Sequence, residues 1–289
     1  MDEYGLGEGQ WWRPFGSLPS GAVAAATTRR SYRSIWISDV HLGTRRCRAR
    51  ELLDFLDQHE AENLYLVGDI VDGWVMGPSW YWSREQGAVV EKIIAWHRRG
   101  VRVVFLPGNH DELSLDLAQA LLGPLPIAPE LIHRTAEGRR MLVIHGHQFD
   151  GSLNPNRWIS VLGAQAYHHA LRIDRWYSEE PDTIANREAS LGSYLKRRVS
   201  KAVRYLTDFT DRTVLQTARR HRVDGVICGH THYPELRQIG AISYINEGDW
   251  VKSCTALVED HDGVLRLLHP DGERNGWTER ESVPDEARS

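Results

Sequence analysis

The chain has 289 residues, 41% hydrophobic and 26% charged, with a net charge of −4. That is ample material for a buried core, and the balance argues against a nucleic-acid protein defined by overall basicity. Cys47, Cys228 and Cys254 stand at wide, odd spacing, which excludes a disulfide framework and a cysteine zinc motif. No run approaches the roughly 20 apolar residues that cross a bilayer. The acidic start also lacks the basic region of a secretory leader. A cytoplasmic protein is expected, with any contact to a membrane peripheral.

Residues 1–32 are rich in Gly, Ser, Pro and Ala and read as a flexible extension. The main domain is expected over 33–270. Ile35-Trp36-Ile37 is a short buried strand running into Ser38-Asp39-Val40-His41, and 48–59 carries Leu52, Leu53 and Leu56 at helical spacing. Strand 63–67 runs into Gly68-Asp69, followed by a stretch with Trp74, Trp80 and Trp82. Helix 84–99 stops at Gly100, and strand 101–106 leads to Gly108-Asn109-His110-Asp111. Strands alternating with helices imply a parallel sheet covered by helices. Polar residues just beyond the carboxyl ends of such strands converge on one edge.

In the second half, strand 141–144 ends in His145-Gly146-His147 and strand 223–228 in Gly229-His230-Thr231-His232. Shorter strands are expected at 241–246, 254–259 and 264–268, mostly antiparallel and forming a second sheet packed on the first. An insertion at about 152–222 is too long for a structureless loop and shows helical patterns near 156–177 and 189–221, a helical cap. Residues 271–289 read as a polar tail.

The strand ends offer Asp39, His41, Asp69, Asn109, His145, His230 and His232. Oxygen donors mixed with imidazoles, and no thiolate, suit Mn²⁺, Fe²⁺ or Zn²⁺. Seven ligands exceed one four-coordinate zinc but suit two ions sharing a carboxylate, and Asp69 is placed to be shared. Two such ions about 3.5–4 Å apart clamp both oxygens of an in-line displacement at phosphorus.

The series Asp39-Val-His41, Gly68-Asp69-Ile-Val-Asp72, Gly108-Asn109-His110-Asp111, His145-Gly and Gly229-His230-Thr-His232 resembles the calcineurin-like metallophosphoesterase superfamily. Ser-Asp-Val-His-Leu-Gly, the basic helical insertion and Asn-Glu-Gly-Asp-Trp (246–250) are similar to the UDP-2,3-diacylglucosamine diphosphatase group of lipid A synthesis. The resemblance implies an α/β/β/α sandwich with a helical cap. It implies two divalent ions, Mn²⁺ first, one held by Asp39, His41, Asp69 and His232, the other by Asp69, Asn109, His145 and His230. His110 would donate a proton to the leaving oxygen or stabilise charge there, with Asp111 orienting it. The implied reaction converts UDP-2,3-diacylglucosamine and water to UMP and the acylated sugar 1-phosphate. One departure stands out: the enteric lipid A diphosphatases carry arginine and aspartate where this chain has His110 and His147.

Other residues have plainer readings. Asp72 reads as a structural carboxylate bonding nearby backbone, and His147 as filling its turn or touching substrate. The tryptophans of 74–82 read as packing, with an aromatic pocket wall as the alternative. The basic stripe Lys196, Arg197, Arg198, Lys201 and Arg204 is a solvated helix face, or else a contact for the diphosphate or an anionic membrane; Lys196, Arg197 and Lys201 are the candidate substrate residues. Rival functions are a phosphodiesterase or pyrophosphatase for a soluble nucleotide or another phosphoester, and a non-catalytic interaction module on the same fold. A nucleic-acid partner has only the basic helix in its favour.

Overall fold

The apolar runs that lead into Asp39, Asp69 and Asn109 are strands: β1 (Arg30–Ile37), β2 (His59–Val67) and β3 (Arg102–Leu106). They lie side by side and parallel, with Ile35 opposite Leu64 and Leu64 opposite Val103. The computed structural model describes residues 29–75, 77–112, 115–149, 210–271 and 276–282. Parallel neighbours need a crossover, and helices supply both. Helix α1 (Ala49–Gln58) links β1 to β2, burying Leu52, Phe55 and Leu56. Helix α2 (Arg84–Arg98) links β2 to β3, burying Val89, Ile93 and Trp96. It starts where the Ser83 hydroxyl accepts the Gln86 amide, which satisfies one of the helix's free N–H groups. A third, short helix is α3 (Leu115–Leu122).

The second sheet contains β4 (Leu131–Arg134), β5 (Arg140–Val143), β6 (Gly225–Cys228), β7 (Glu235–Ile239) and β8 (Ile242–Asn246), in the order β4-β5-β6-β8-β7. Helix α4, residues 210–221, precedes β6. The expected antiparallel character is only partly present, because β5–β6 and β6–β8 pair in parallel. The last strands also belong elsewhere. β9 (Ala256–Glu259), β10 (Leu265–Asp271) and β11 (Gly276–Ser282) are antiparallel, but they extend the first sheet to the order β11-β10-β9-β1-β2-β3. Residues 276–282, read from sequence as part of a polar tail, are therefore an edge strand, with Trp277 packed against the helix-side core.

Three apolar clusters hold the layers together. Trp36, Tyr65, Val67 and Leu106 of the first sheet meet Met141, Val143, Ile227 and Ile245 of the second. The opposite face of the first sheet packs on α1, α2 and α3, and Val214 and Ala218 of α4 pack on Leu142 and Val226. The result is the expected α/β/β/α sandwich. Each fully buried Leu or Ile contributes about 1.5–3 kcal/mol of transfer free energy. That margin allows strained, polar loops at the strand ends. The cap insertion, with Lys196, Arg197 and Lys201, falls mostly outside the described residues. Among those described, no helix is long and apolar enough to cross a membrane.

Candidate metal centre

The parallel pairing of β1 and β2 continues past the strands. Asp39 N–H donates to Gly68 O at 3.0 Å and His41 N–H to Asp69 O at 2.9 Å, so the two loops run together. Seven non-glycine residues among those described have positive φ, and five are Asp39 (51°), His41 (52°), Asp69 (53°), His230 (68°) and His232 (57°). A residue held in such a region costs on the order of 1–3 kcal/mol and persists where its surroundings over-determine it. The motif glycines give the room. A Cβ on Gly108 would sit 2.3 Å from Asp69 Oδ1, and one on Gly229 would sit 2.3 Å from Asp39 Oδ2. Gly108→Ala is accordingly expected to push the Asp69 carboxylate aside and to cost about 1–3 kcal/mol, as overpacking does. Urea unfolding and metal titration would show it; a variant unchanged in both would contradict the assignment.

The side chains converge tightly. Asp69 Oδ2 lies 3.4 Å from His145 Nε2 and 3.9 Å from both His41 Nε2 and His110 Nε2. His232 Nε2 lies 3.2 Å from Asp39 Oδ1. Three sets have their donor atoms within 4.8 Å of one another: Asp39, His41 and His232; Asp69, His145 and His230; and His41, Asp69 and His110. Asp69 stands in two of them.

The other nitrogen of three imidazoles is already held. His145 Nδ1 donates to Val67 O at 2.9 Å, His41 Nδ1 meets Asp72 Oδ2 at 3.1 Å, and His232 Nδ1 meets Asp249 Oδ2 at 2.9 Å. This fixes the tautomer, leaving Nε2 as a lone-pair donor facing inward. Among the buried atoms with no hydrogen-bond partner are four of this group: His41 Nε2, His145 Nε2, Asp39 Oδ1 and Asn109 Oδ1. Buried polar atoms are rarely left so, and these four lie on residues expected as metal ligands. The donor set fits divalent ions.

Electrostatics agree. Burial alone would depress His145, yet the Asp69 carboxylate outweighs it and lifts the imidazole to about 10. Burial likewise raises Asp69, but His145 and His41 drive it well below the ordinary carboxylate range. At His232 burial is again overcome, by Asp249 and Asp39, and the pKa rises. The cluster draws in positive charge, which protons or metal ions can supply.

His110 stands at the edge of this centre. Its Nδ1 meets Asp72 Oδ1 at 2.9 Å, and its ring stacks on Trp74 with centroids 3.8 Å apart. Burial disfavours the charged ring, but the bond to Asp72 and the charge of Asp69 outweigh it and raise the pKa. Two expectations change here. The orienting carboxylate for His110 is Asp72 rather than Asp111. Asp111 instead accepts the Val71 and Gly108 amides, both at 2.8 Å, tying the two motif loops together, and burial pushes its carboxyl up to about 6. Asp72 bonds nearby backbone at Trp74 N, as expected, but it also joins His41 to His110. Trp80 and Trp82 stack and pack on the core, whereas Trp74 is 49% exposed. His147 lies beside the second set, its ring 5.5 Å from His145 and 6.5 Å from His230.

The residue that sequence reading missed is Asp249. Its segment, 246–250, stood out, but no role was given to the aspartate. Besides His232, Asp249 accepts the Lys252 and Ser253 amides at 2.8 and 2.7 Å, and the neighbouring Asn246 Nδ2 donates to Gly229 O at 2.5 Å. The turn after β8 thus braces the Gly-His-Thr-His loop. Asp249→Asn should weaken metal binding by roughly 10–100-fold, the usual effect of losing a ligand-orienting group; affinity within a factor of two of the parent would rule out that role.

The family model for calcineurin-like phosphoesterase matches residues 32–234, more than two thirds of the chain. The chain belongs to the calcineurin-like phosphoesterase family. As a member it is a metal-dependent phosphoester hydrolase, from a family that uses a dinuclear metal site. Among curated relatives, UDP-2,3-diacylglucosamine hydrolase of Xanthomonas campestris pv. campestris is 28% identical over 244 residues, covering 80% of this chain and 96% of the relative. The enzyme of that name from Stenotrophomonas maltophilia is 29% identical over 243 residues, with coverages of 80% and 96%. That from Enterobacter sp. is 26% identical over 249 residues, with 82% and 99%. A solved phosphoesterase from E. coli, Yfce, covers 86% of this chain and 97% of its own, at 19% identity and a TM-score of 0.46.

Proposed function

We propose that this phosphoesterase hydrolyses the diphosphate of a UDP-linked acylated glucosamine, releasing UMP and the acylated sugar 1-phosphate, at the cytoplasmic face of the inner membrane. The site residues support it: the donor atoms of Asp39, His41 and His232 and those of Asp69, His145 and His230 gather in two sets, and His41 Nε2, His145 Nε2, Asp39 Oδ1 and Asn109 Oδ1 are buried without a hydrogen bond. The relatives named for this substrate span nearly their whole length on this chain.

In this reading Asp39, His41, Asp69 and His232 would hold one divalent ion, and Asp69, Asn109, His145 and His230 the other; the donor set suits Mn²⁺, Fe²⁺ or Zn²⁺, and the family resemblance puts Mn²⁺ first. Bound there, the ions supply Lewis acidity and a water acidic enough to act as nucleophile at neutral pH. The protein does the rest. Asp72 and Asp249 hold His41 and His232 in the ligating tautomer, and Val67 O does so for His145. His110, with Nδ1 fixed by Asp72, presents Nε2 to the leaving oxygen as proton donor. An imidazole can do this where the enteric enzymes carry arginine. The acyl chains and the diphosphate go to the cap and its basic stripe, with Lys196, Arg197 and Lys201 as the assigned contacts.

The test is turnover of purified, metal-loaded protein on UDP-2,3-diacylglucosamine and on its deacylated counterpart, before and after chelation. Activity confined to the acylated substrate, lost on chelation and restored by Mn²⁺, is the expected result. Equal rates on both would replace the lipid by a soluble nucleotide, and absence of turnover on either would remove the substrate class.

A further inference from the structure

A second concave site lies far along the strands from the metal centre. It is a cavity of about 280 Å³ lined by Arg33, Asn63, Tyr65, Arg102, His133 and Arg134. Arg102 opens β3, whereas Asn109 follows the other end of that strand, and Asn63 is Arg102's partner across the β2–β3 pair. β3 and β4 are edge strands of their sheets, so both sheets contribute to the cavity.

Its wall is built rather than incidental. Tyr65 and His133 are 1% and 4% exposed. The Tyr65 hydroxyl meets His133 Nδ1 at 2.9 Å, and His133 Nε2 meets Glu259 Oε2 at 2.9 Å. Fully buried Glu259 also accepts Arg33 Nη1 at 2.7 and 2.8 Å, and Arg33 donates to Arg134 O at 2.8 Å. Arg33 is therefore fixed, and its charge is balanced by Glu259. Arg102 and Arg134 are different. Neither makes an ion pair among the described residues, and no carboxylate lines the cavity. In a chain of net charge −4, two guanidiniums left unbalanced around one hollow form a site that an anion would complete.

We propose that this cavity binds a phosphate group, carried by a small soluble molecule or by a lipid headgroup. The planar guanidinium fork matches phosphate oxygens in pairs. The volume lies just under the roughly 300 Å³ at which small-molecule pockets begin, which restricts the occupant to a compact anion. Asn63 Nδ2 is committed to Arg33 O at 2.9 Å and Tyr65 to His133, so recognition falls to Arg102 and Arg134, with Arg33 as the fixed floor.

Calorimetric titration of the metal-loaded protein with inorganic phosphate tests this, comparing the parent with Arg102→Gln/Arg134→Gln. Both arginines are exposed, and an unchanged unfolding midpoint and unchanged turnover would verify that the variant is intact. The parent should bind one phosphate more than the double variant. The same stoichiometry in both would overturn the proposal. Sedimentation with phosphatidylglycerol vesicles, against phosphatidylcholine controls, then separates the two sources. Vesicle binding that the double variant loses assigns the site to a lipid headgroup; vesicle binding absent from both, or equal in both, alongside the phosphate difference assigns it to a soluble phosphate.

Discussion

Replacing Asp69 by asparagine is expected to strip both metal ions and to lower kcat by at least roughly 10⁴, a part of the 10⁶ or more by which enzymes exceed the uncatalysed reaction. Asparagine keeps the shape and the Oδ1 acceptor that takes the His110 amide at 2.9 Å. What it removes is the anionic Oδ2 that faces His145 at 3.4 Å and His41 and His110 at 3.9 Å. In its place an NH₂ group points at ring nitrogens whose other sides are already committed. Each of the two ions of the proposed centre would lose one ligand and its share of the carboxylate's charge, and three imidazoles are left without the carboxylate between them. No neighbour can substitute, because Asp72 and Asp111 are both engaged, the first by two histidines and the second by the backbone of two loops. Elemental analysis after gentle purification, with turnover under added Mn²⁺, reads the outcome. A variant that still carries two ions, or one whose rate returns with excess metal, would show that Asp69 is not the bridge.

The site was legible in the sequence where chemistry and chain geometry coincide. Asp39, Asp69 and Asn109 each follow an apolar run at the carboxyl end of a parallel strand, so their convergence followed from topology alone. His145 and His230 repeat the pattern on the second sheet. The parts that were not legible depend on which segments meet across the fold. Asp249 reaches His232 only because β7 and β8 fold back on each other, and nothing in the spacing of the two residues announces it. Asp72 lies between His41 and His110 because the Leu42 and Val71 backbones bridge in parallel, which places one carboxylate under two rings. The family resemblance pointed to Asp111, the residue next to His110, but that side chain turns back to the amides of its own and the neighbouring loop. Local patterns also showed β9 and β10 as strands but pointed to the second sheet, whereas they extend the first. That choice was made by Leu257 and Val258 pairing with β1. β11 was hidden because Trp277 is its one large apolar side chain.

His110→Ala should leave both ions in place and lower kcat by roughly 10²–10⁴, the usual contribution of a positioned general acid. The ring is not a necessary ligand in the two sets that Asp39, His41 and His232 and Asp69, His145 and His230 form, so its removal opens space under Trp74 without emptying the centre. The size of the loss should depend on the leaving group. With a p-nitrophenyl phosphodiester, whose phenol departs readily as an anion, the variant should approach the parent; with the plain phenyl ester, whose oxygen needs a proton, the gap should widen. A structural role would instead lower both rates equally. Asp72 makes the distinction sharper, because it fixes His110 Nδ1 and His41 Nδ1 with opposite oxygens. Loss of Asp72 should therefore impair metal affinity and protonation together, whereas loss of His110 should impair protonation alone. If His110→Ala reduced metal content as Asp69→Asn does, the imidazole would have to be counted as a ligand, and the proton would need another source.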